Sequence, residues 1–402
     1  MRGLEIPERE EDFAADPVEL FFDLAYVFAF SQLVLLILDD HTWNGIGQAT
    51  LLFLLMWLPW SQFTWSANAV SGNQRSIRVL FLAATAASVP MAASINTALD
   101  GGGLLFAVPL ATIFLAALLL MVSGLEYGSD EYRSAVRYSI PSIVAMVLIV
   151  IGGLFEDELR VAIWIAGIAV FGAATVRAGS DAWIVRPGHF AERHGLIVII
   201  ALGEVIVALG NSVVVELNDS GSVPASTVVS LVAAGVLAGL LWWSYFDRVQ
   251  PAFEHRAESL DGGVERGRFV RDIYTYGHIP VVAGIVLIAV ALEEVTLHPT
   301  EPLSLTFRAI GGAGFVLFFG GLSAGVYRAF RVVAKERLAV LAAIVVLSAL
   351  GGSVDGILLF MAIDLIIFAA LVVEQLRIER PNSPAVDHRT ENDPVDDRQV
   401  EI

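Results

Sequence analysis

The sequence predicts an all-α polytopic membrane protein: about twelve transmembrane helices in two parallel six-helix repeats, with both termini cytoplasmic. Three observations lead there. The 402 residues are 56% hydrophobic and only 16% charged, where soluble domains run at about 45–50% and about 25%. The apolar residues fall in long runs, and about twenty such residues cross a bilayer core. The basic residues also alternate between the two sides once those runs are counted as spans.

In chain order the runs lie at roughly 20–38, 45–66, 77–97, 104–123, 138–155, 160–178, 194–215, 226–246, 271–293, 304–327, 338–351 and 355–376. The eleventh is the shortest. The segment before the first carries Glu5, Glu8, Glu10, Glu11 and Asp12, unlike the cationic start of a signal peptide. Basic residues then follow every second span: Arg75 and Arg78, Arg133 and Arg137, Arg177 to Arg193, Arg248 to Arg271, Arg328 to Arg337, and Arg377 onward. With Arg2 and Arg9 this puts 22 of the 24 basic residues on one face and leaves Arg160 and Arg308 on the other. Cytoplasmic loops carry such an excess, and a miscounted span would scramble it. The chain therefore divides into a cytoplasmic segment 1–18, a first half 19–180, a second half 181–377 and an acidic tail 378–402, expected to be disordered. The longest internal connection, about 247–270, reads as a charged cytoplasmic loop.

The two halves resemble each other. Trp60-Ser61-Gln62-Phe63 ends span two and Trp243-Ser244-Tyr245-Phe246 ends span eight. Pro90 of span three corresponds to Pro280 of span nine, and overlaying spans one and seven sets Leu24 on Leu196 and Gln32 on Glu204. Six spans per half leave the repeats in the same orientation, and transporters of that build place substrate or ion sites near the midplane where the repeats meet.

Composition removes several classes of function. The chain has no cysteine, hence no disulfide, thiolate metal site or cysteine nucleophile. Its net charge of −18 argues against a nucleic-acid partner. There is no P-loop, dinucleotide fingerprint, HExxH or GxSxG, and neither a cofactor nor a metal is expected. The expected partners are the lipid bilayer, a proton or small cation, and a small-molecule substrate of unknown identity.

A charge at the bilayer centre costs roughly 2.5–3.5 kcal/mol on insertion scales, so each ionisable group within a span needs a reason. Glu204 and Asp364 lie mid-span, and Asn211 follows Glu204 by two turns on the same face. Glu19 and Asp23 form an i,i+4 pair at the start of span one, able to share a proton or clamp a cation. Asp16-Pro17 before them reads as an N-cap with proline in the first turn, which by itself favours an acid at Glu19. Gln32 is the neutral counterpart of Glu204 in the overlay. Span nine carries Asp272, Tyr274 and His278; the last two share a face, and His278 could relay protons. His194 stands at the start of span seven, where it could equally be an interfacial polar residue. For every one of these the alternative is a polar side chain bonded to a neighbouring helix. Gly235-x-x-x-Gly239 and Gly321-x-x-x-Gly325 fit close helix packing. Trp57, Trp60, Trp65, Trp242 and Trp243 read as an interfacial aromatic belt.

At Pro17-Val18-Glu19-Leu20-Phe21-Phe22-Asp23-Leu24, and again from Glu192-Arg193-His194-Gly195-Leu196 through Leu202-Gly203-Glu204, the sequence resembles the low temperature requirement A (LtrA) family of bacteria and archaea. The resemblance spans roughly 15–377. It departs from the family at Val205, where serine is usual, and at Ala25 and Tyr26. It implies a multi-pass membrane protein associated by name with growth in the cold, and its two blocks contain Glu19, Asp23, His194 and Glu204.

Three functions fit these residues. The first is a proton- or cation-coupled transporter, or a pathway for the ion itself, in the cell membrane, with Glu204 and Asp364 binding the ion and Glu19 and Asp23 forming its vestibule. The second is an intramembrane enzyme acting on lipids or isoprenoid carriers, which requires Asp23 and Glu19 to converge with Arg193 or Arg271. The third is a structural or regulatory protein whose polar groups hold helices together. Enzymatic activity stays open, with transport the leading expectation.

Overall fold

The computed structural model describes residues 15–68, 75–178 and 183–378; some side chains between 208 and 220, and those of 377–378, also lie outside the description. The acidic N-terminal residues, most of the tail and the Asn211 side chain therefore fall outside it. The described residues are helical, without a strand beyond one isolated bridge between Pro302 and Asp355. In order they form α1 (Pro17–Asp39), α2 (Trp43–Ala67), α3 (Arg75–Ala93), α4 (Gly103–Ser123), α5 (Asp130–Gly152), α6 (Asp157–Ala178) and α7 (Pro187–Ser220). There follow α8 (Ala225–Phe246), α9 (Val249–Glu258), α10 (Val264–Val270), α11 (His278–Leu297), α12 (Leu305–Phe330), α13 (Lys335–Leu350) and α14 (Gly356–Ile378).

Each predicted interval is occupied by a helix. Among the described residues nine helical stretches are long and apolar enough to cross a membrane, α8–α9 and α10–α11 each counting as one. The chain is thus an all-α protein built for a bilayer. The stretch read as a loop at 247–270 instead forms α9 and α10. His255, Glu258, Glu265 and Arg268 are exposed while Val249, Phe253, Ala257 and Phe269 are buried, an amphipathic pattern too short to register as a span.

Local chemistry sets the helix ends. Asp16 caps α1: its Oδ1 accepts from the Val18 amide at 3.1 Å, and Glu19 Oε1 accepts from the Asp16 amide at 3.4 Å, a capping box with Pro17 in the first turn. Thr42, Ser129 and Ser304 cap α2, α5 and α12 in the same way. Arg160 and Arg308, the two basic residues apart from the rest, serve as C-terminal caps. Arg160 is buried and donates to the carbonyls of Ala98 (2.7 Å) and Phe155 (2.8 Å); Arg308 donates to those of Leu303, Ser348 and Ala349.

Helix pairings recur along the chain. α1 packs on α3, α3 on α4, α4 on α5 and α5 on α6; likewise α7 packs on α11, α11 on α12, α12 on α13 and α13 on α14. α1 also touches α2 as α7 touches α8. Across the middle, α1 lies against both α7 and α11. The α11–α12 pair is tightest at Gly284 and Gly314, where a Cβ on Gly284 would sit 2.6 Å from the Gly314 carbonyl oxygen. Gly321 and Gly325 meet Pro280 and Phe253 closely, as their spacing predicts, whereas Gly235 and Gly239 face open space. The expectation for Gly235-x-x-x-Gly239 therefore fails: small residues permit close approach but do not bring a partner.

Candidate functional site

One group of buried polar residues lies along the α1–α7 seam. Glu19 and Asp23 stand four apart on α1; His189 and Arg193 stand four apart on α7. Helical spacing presents each pair on one face, and the two faces meet in register. Glu19 Oε2 lies 2.9 Å from His189 Nε2, and Asp23 Oδ1 accepts from Arg193 Nη2 at 2.9 Å. Arg193 Nη1 is 3.6 Å from Glu19 Oε2, which links the two rungs. Asp23, Arg193, Glu19 and His189 are all buried.

Neighbouring helices fix these groups. The Asn68 amide donates to the Thr64 carbonyl oxygen at 2.8 Å and lies 3.2 Å from His189 Nδ1, so Nδ1 accepts and Nε2–H points at Glu19. Trp60 of α2 donates its indole N–H to Asp23 Oδ1 at 2.9 Å. Trp57 and Trp65 donate to the carbonyl and hydroxyl oxygens of Thr275. Trp57 and Trp60 are buried and Trp65 is partly buried, so these three anchor α2 within the protein; Trp242 and Trp243 are about half exposed. Glu192 accepts from the Ala15 amide at 2.5 Å and so ties the start of α7 to the chain ahead of α1.

His194 lies behind Trp60, buried and not at the interface. Its ring centroid is 5.0 Å from that of Trp60, 5.1 Å from Tyr274 and 4.9 Å from His278. Nδ1 bonds the Phe190 carbonyl at 2.9 Å, while among the described residues Nε2 has no hydrogen-bond partner. His278 is the opposite case. Its Nδ1 bonds the Ile273 carbonyl at 2.9 Å, and its Nε2 lies 2.7 Å from the Tyr245 hydroxyl, which must then donate. Both nitrogens of His278 are hydrogen-bonded, whereas among the described residues one nitrogen of His194 is free. Tyr274 stacks on His278 at 5.6 Å and leaves its hydroxyl unpartnered. It is positioned by a π-helical turn, Arg271–Tyr276, between α10 and α11; such turns alter the helical phase and concentrate at functional sites. Asp272 on that turn is not part of the group: Arg271 (2.6 Å) and Arg328 (2.9 Å) hold it in a separate ionic cluster.

Further along the seam, Glu204 is buried and accepts a hydrogen bond from the Ser31 hydroxyl of α1. Glu204 follows Arg193 by eleven residues, three turns along one face of α7. Gln32, the expected counterpart of Glu204, instead accepts from Asn96 at 2.8 Å. Asp364 is buried on α14 with Oδ1 unpartnered. That helix packs on α8 and α13, and among the described residues no hydrogen bond or ion pair joins Asp364 to Glu204.

Sequence reasoning missed Trp60, His189 and Ser31 and gave Arg193 only a conditional role. His189 was legible: His189–Arg193 repeats the i,i+4 spacing of Glu19–Asp23 and sets a hydrogen-bond donor against each carboxylate. Trp60 and Ser31 carry no signal of their own, because a tryptophan or serine in a span is ordinary until a carboxylate is known to face it. Among the described residues no cluster of three or more His, Asp or Glu is arranged to hold a metal ion.

An uncharacterized protein of Rhizobium meliloti (strain 1021) is 29% identical over 328 residues, covering 78% of this chain and 77% of the relative. No solved structure matches. The family model for the bacterial low temperature requirement A protein (LtrA) matches residues 14–373, and that span holds both the Glu19–Asp23 and the His189–Glu204 faces of the seam. The chain is a member of the bacterial low temperature requirement A family.

Proposed function

We propose that this protein is a proton- or cation-coupled transporter, or a pathway for the ion itself, in the cell membrane, and that the ion follows the α1–α7 seam. The observation that carries this is the Ser31–Glu204 hydrogen bond. A carboxyl buried within a span, with no cation paired to it among the described residues, is expensive and marks a functional group by default. Glu204 therefore takes the ion-binding role. Asp23, neutralised by Arg193, aligns α1 with α7 and forms the inner end of the route. His194 offers a free nitrogen beside that end and is the relay in place of His278.

A duplicated body of twelve spans, six per half, supports movement of one half against the other about this seam. The recurring helix pairings favour the duplication, and so do two cavities. One, of about 40 Å³, is bordered by Ser61, Tyr138 and the Phe171, Thr175, Ala178 face of α6. The other, of about 10 Å³, is bordered by Ser244, Val340 and the Ile367, Leu371, Glu374 face of α14. Ser61 and Ser244 are the serines of the repeated Trp-Ser motif, and both α-helical faces use the spacing i, i+4, i+7. On this reading the halves are 19–180 and 181–377, with the basic loops, residues 1–18 and the tail 378–402 in the cytoplasm.

The test is proton flux in proteoliposomes holding a trapped pH dye, under an imposed potential, with wild type against Glu204→Gln. Wild-type flux that falls at least tenfold in the variant is expected. Flux no greater than in empty vesicles, or equal in both proteins, would overturn the reading. The lipid or isoprenoid enzyme gains one observation, the convergence of Glu19 and Asp23 with Arg193 that it required. Asp23 and Arg193 are both 0% exposed, however, so a headgroup could reach them only if α1 and α7 separated.

A further inference from the structure

Where α1 and α2 of the first half face α11 and α12 of the second, a cavity of about 310 Å³ runs between them. Its walls come from Leu33 and Ile37, from α2 between Ile46 and Leu54, from α11 between Ile279 and Leu287, and from Leu317. Among the described residues Thr50 is the one lining side chain with a hydroxyl, and that hydroxyl is spent on the Ile46 carbonyl at 2.8 Å. No lining group is charged. Along both α2 and α11 the walls extend eight residues, about 12 Å at 1.5 Å per residue.

We infer that this cavity is a binding site for one acyl chain of a bilayer phospholipid, held between the two halves. The inference does not rest on the ion pathway. Polarity, size and shape each select the occupant. With no polar atom left to satisfy, water would lose its hydrogen bonds on entering, and apolar cavities of about 150 Å³ stay dry and take up hydrocarbon. This one is about twice that size, and an unfilled space strips dispersion contacts from every wall. The slot is long in the direction of α11, which is apolar enough to cross a membrane, and its length is close to one leaflet of a hydrocarbon core about 30 Å thick. It lies toward the ends of α1 and α2 away from Glu19, Asp23 and Trp60. A chain from the leaflet at that end enters with its axis already aligned, so little orientational freedom is lost.

The full-length protein in phospholipid vesicles, doped with a phospholipid carrying a diazirine at the end of one acyl chain, tests the site by photolabelling and peptide mapping. Adducts are expected on the peptides containing residues 46–54 and 279–287, above the level on the Leu365 peptide, whose side chain is exposed on the outside of α14. Ala283→Trp, which fills the slot, should lower the first two at least fivefold and leave the third unchanged. Ala283→Leu, a smaller insertion, should give an intermediate loss if the tryptophan variant does not fold. Labelling of 46–54 and 279–287 no greater than at Leu365, or unaltered in both variants, would refute the site. Labelling displaced by an equimolar isoprenoid phosphate would refute the bilayer lipid as occupant and make the slot a place for a dedicated substrate.

Discussion

The Asp23–Arg193 pair makes a quantitative prediction about what holds the seam together. Both side chains are 0% exposed and their charged atoms are 2.9 Å apart. Arg193→Met leaves Asp23 with the Trp60 indole as its only hydrogen-bond donor among the described residues, in a site closed to water. Removing one partner of a buried ion pair costs about 3–5 kcal/mol, so the folded-to-unfolded ratio should fall by two to three orders of magnitude or more, at about 1.4 kcal/mol per decade. Asp23→Asn should cost less, because Arg193 keeps Glu19 at 3.6 Å. In the double variant no charge is stranded on Asp23, and its cost should fall short of the sum of the singles by about 2 kcal/mol, within the range seen for contacting residues. The assay is unfolding by sodium dodecyl sulfate titration in mixed micelles, followed by far-ultraviolet circular dichroism and tryptophan emission. Single substitutions costing below about 1 kcal/mol, as exposed ion pairs do, would refute the reasoning. So would a double variant whose cost is the sum within about 0.5 kcal/mol.

Three further outcomes follow from the same geometry. His194→Gln should reduce any proton flux at least tenfold, whereas His278→Gln should lower stability, since it disrupts the Tyr245 and Ile273 bonds, and leave flux per folded molecule within twofold; flux assays normalised to folded protein check both. Trp60→Phe keeps the ring packing on His194 but removes the N–H from Asp23, and a charged acceptor losing a donor should cost about 1.5–3 kcal/mol in the same titration. Gly284→Val drives a side chain into the Gly314 carbonyl and should destabilise by about 1–3 kcal/mol or more, while Gly235→Ala, in open space, should stabilise by up to about 1 kcal/mol through helix propensity.

Much of the fold was legible because it depends on quantities that add along the chain. Helix positions follow from run lengths and from caps such as Asp16-Pro17, and membrane residence follows from composition. The connection at 247–270 was the exception, because α9 and α10 bury only a few apolar residues each and are stabilised by the helices beneath them. The candidate site was half legible. Glu19, Asp23 and Glu204 could be singled out because a charge in a span is costly wherever its neighbours are. Asp272 looked equivalent to them, yet two arginines, one of them 56 residues away on α12, remove it from the group.

The sequence by itself determined that this chain is helical, lies in a bilayer and carries carboxylates that water cannot solvate there. Only the tertiary structure decided which of those carboxylates are neutralised and by whom. It set Arg193 and His189 against Asp23 and Glu19, left Glu204 with a hydroxyl, spent both nitrogens of His278 and freed one of His194. The physical reason is the difference in range. Hydropathy and helix propensity are properties of neighbouring residues, but the state of a buried charge depends on atoms within about 4 Å, and at the seam those atoms come from helices some 170 residues apart in sequence.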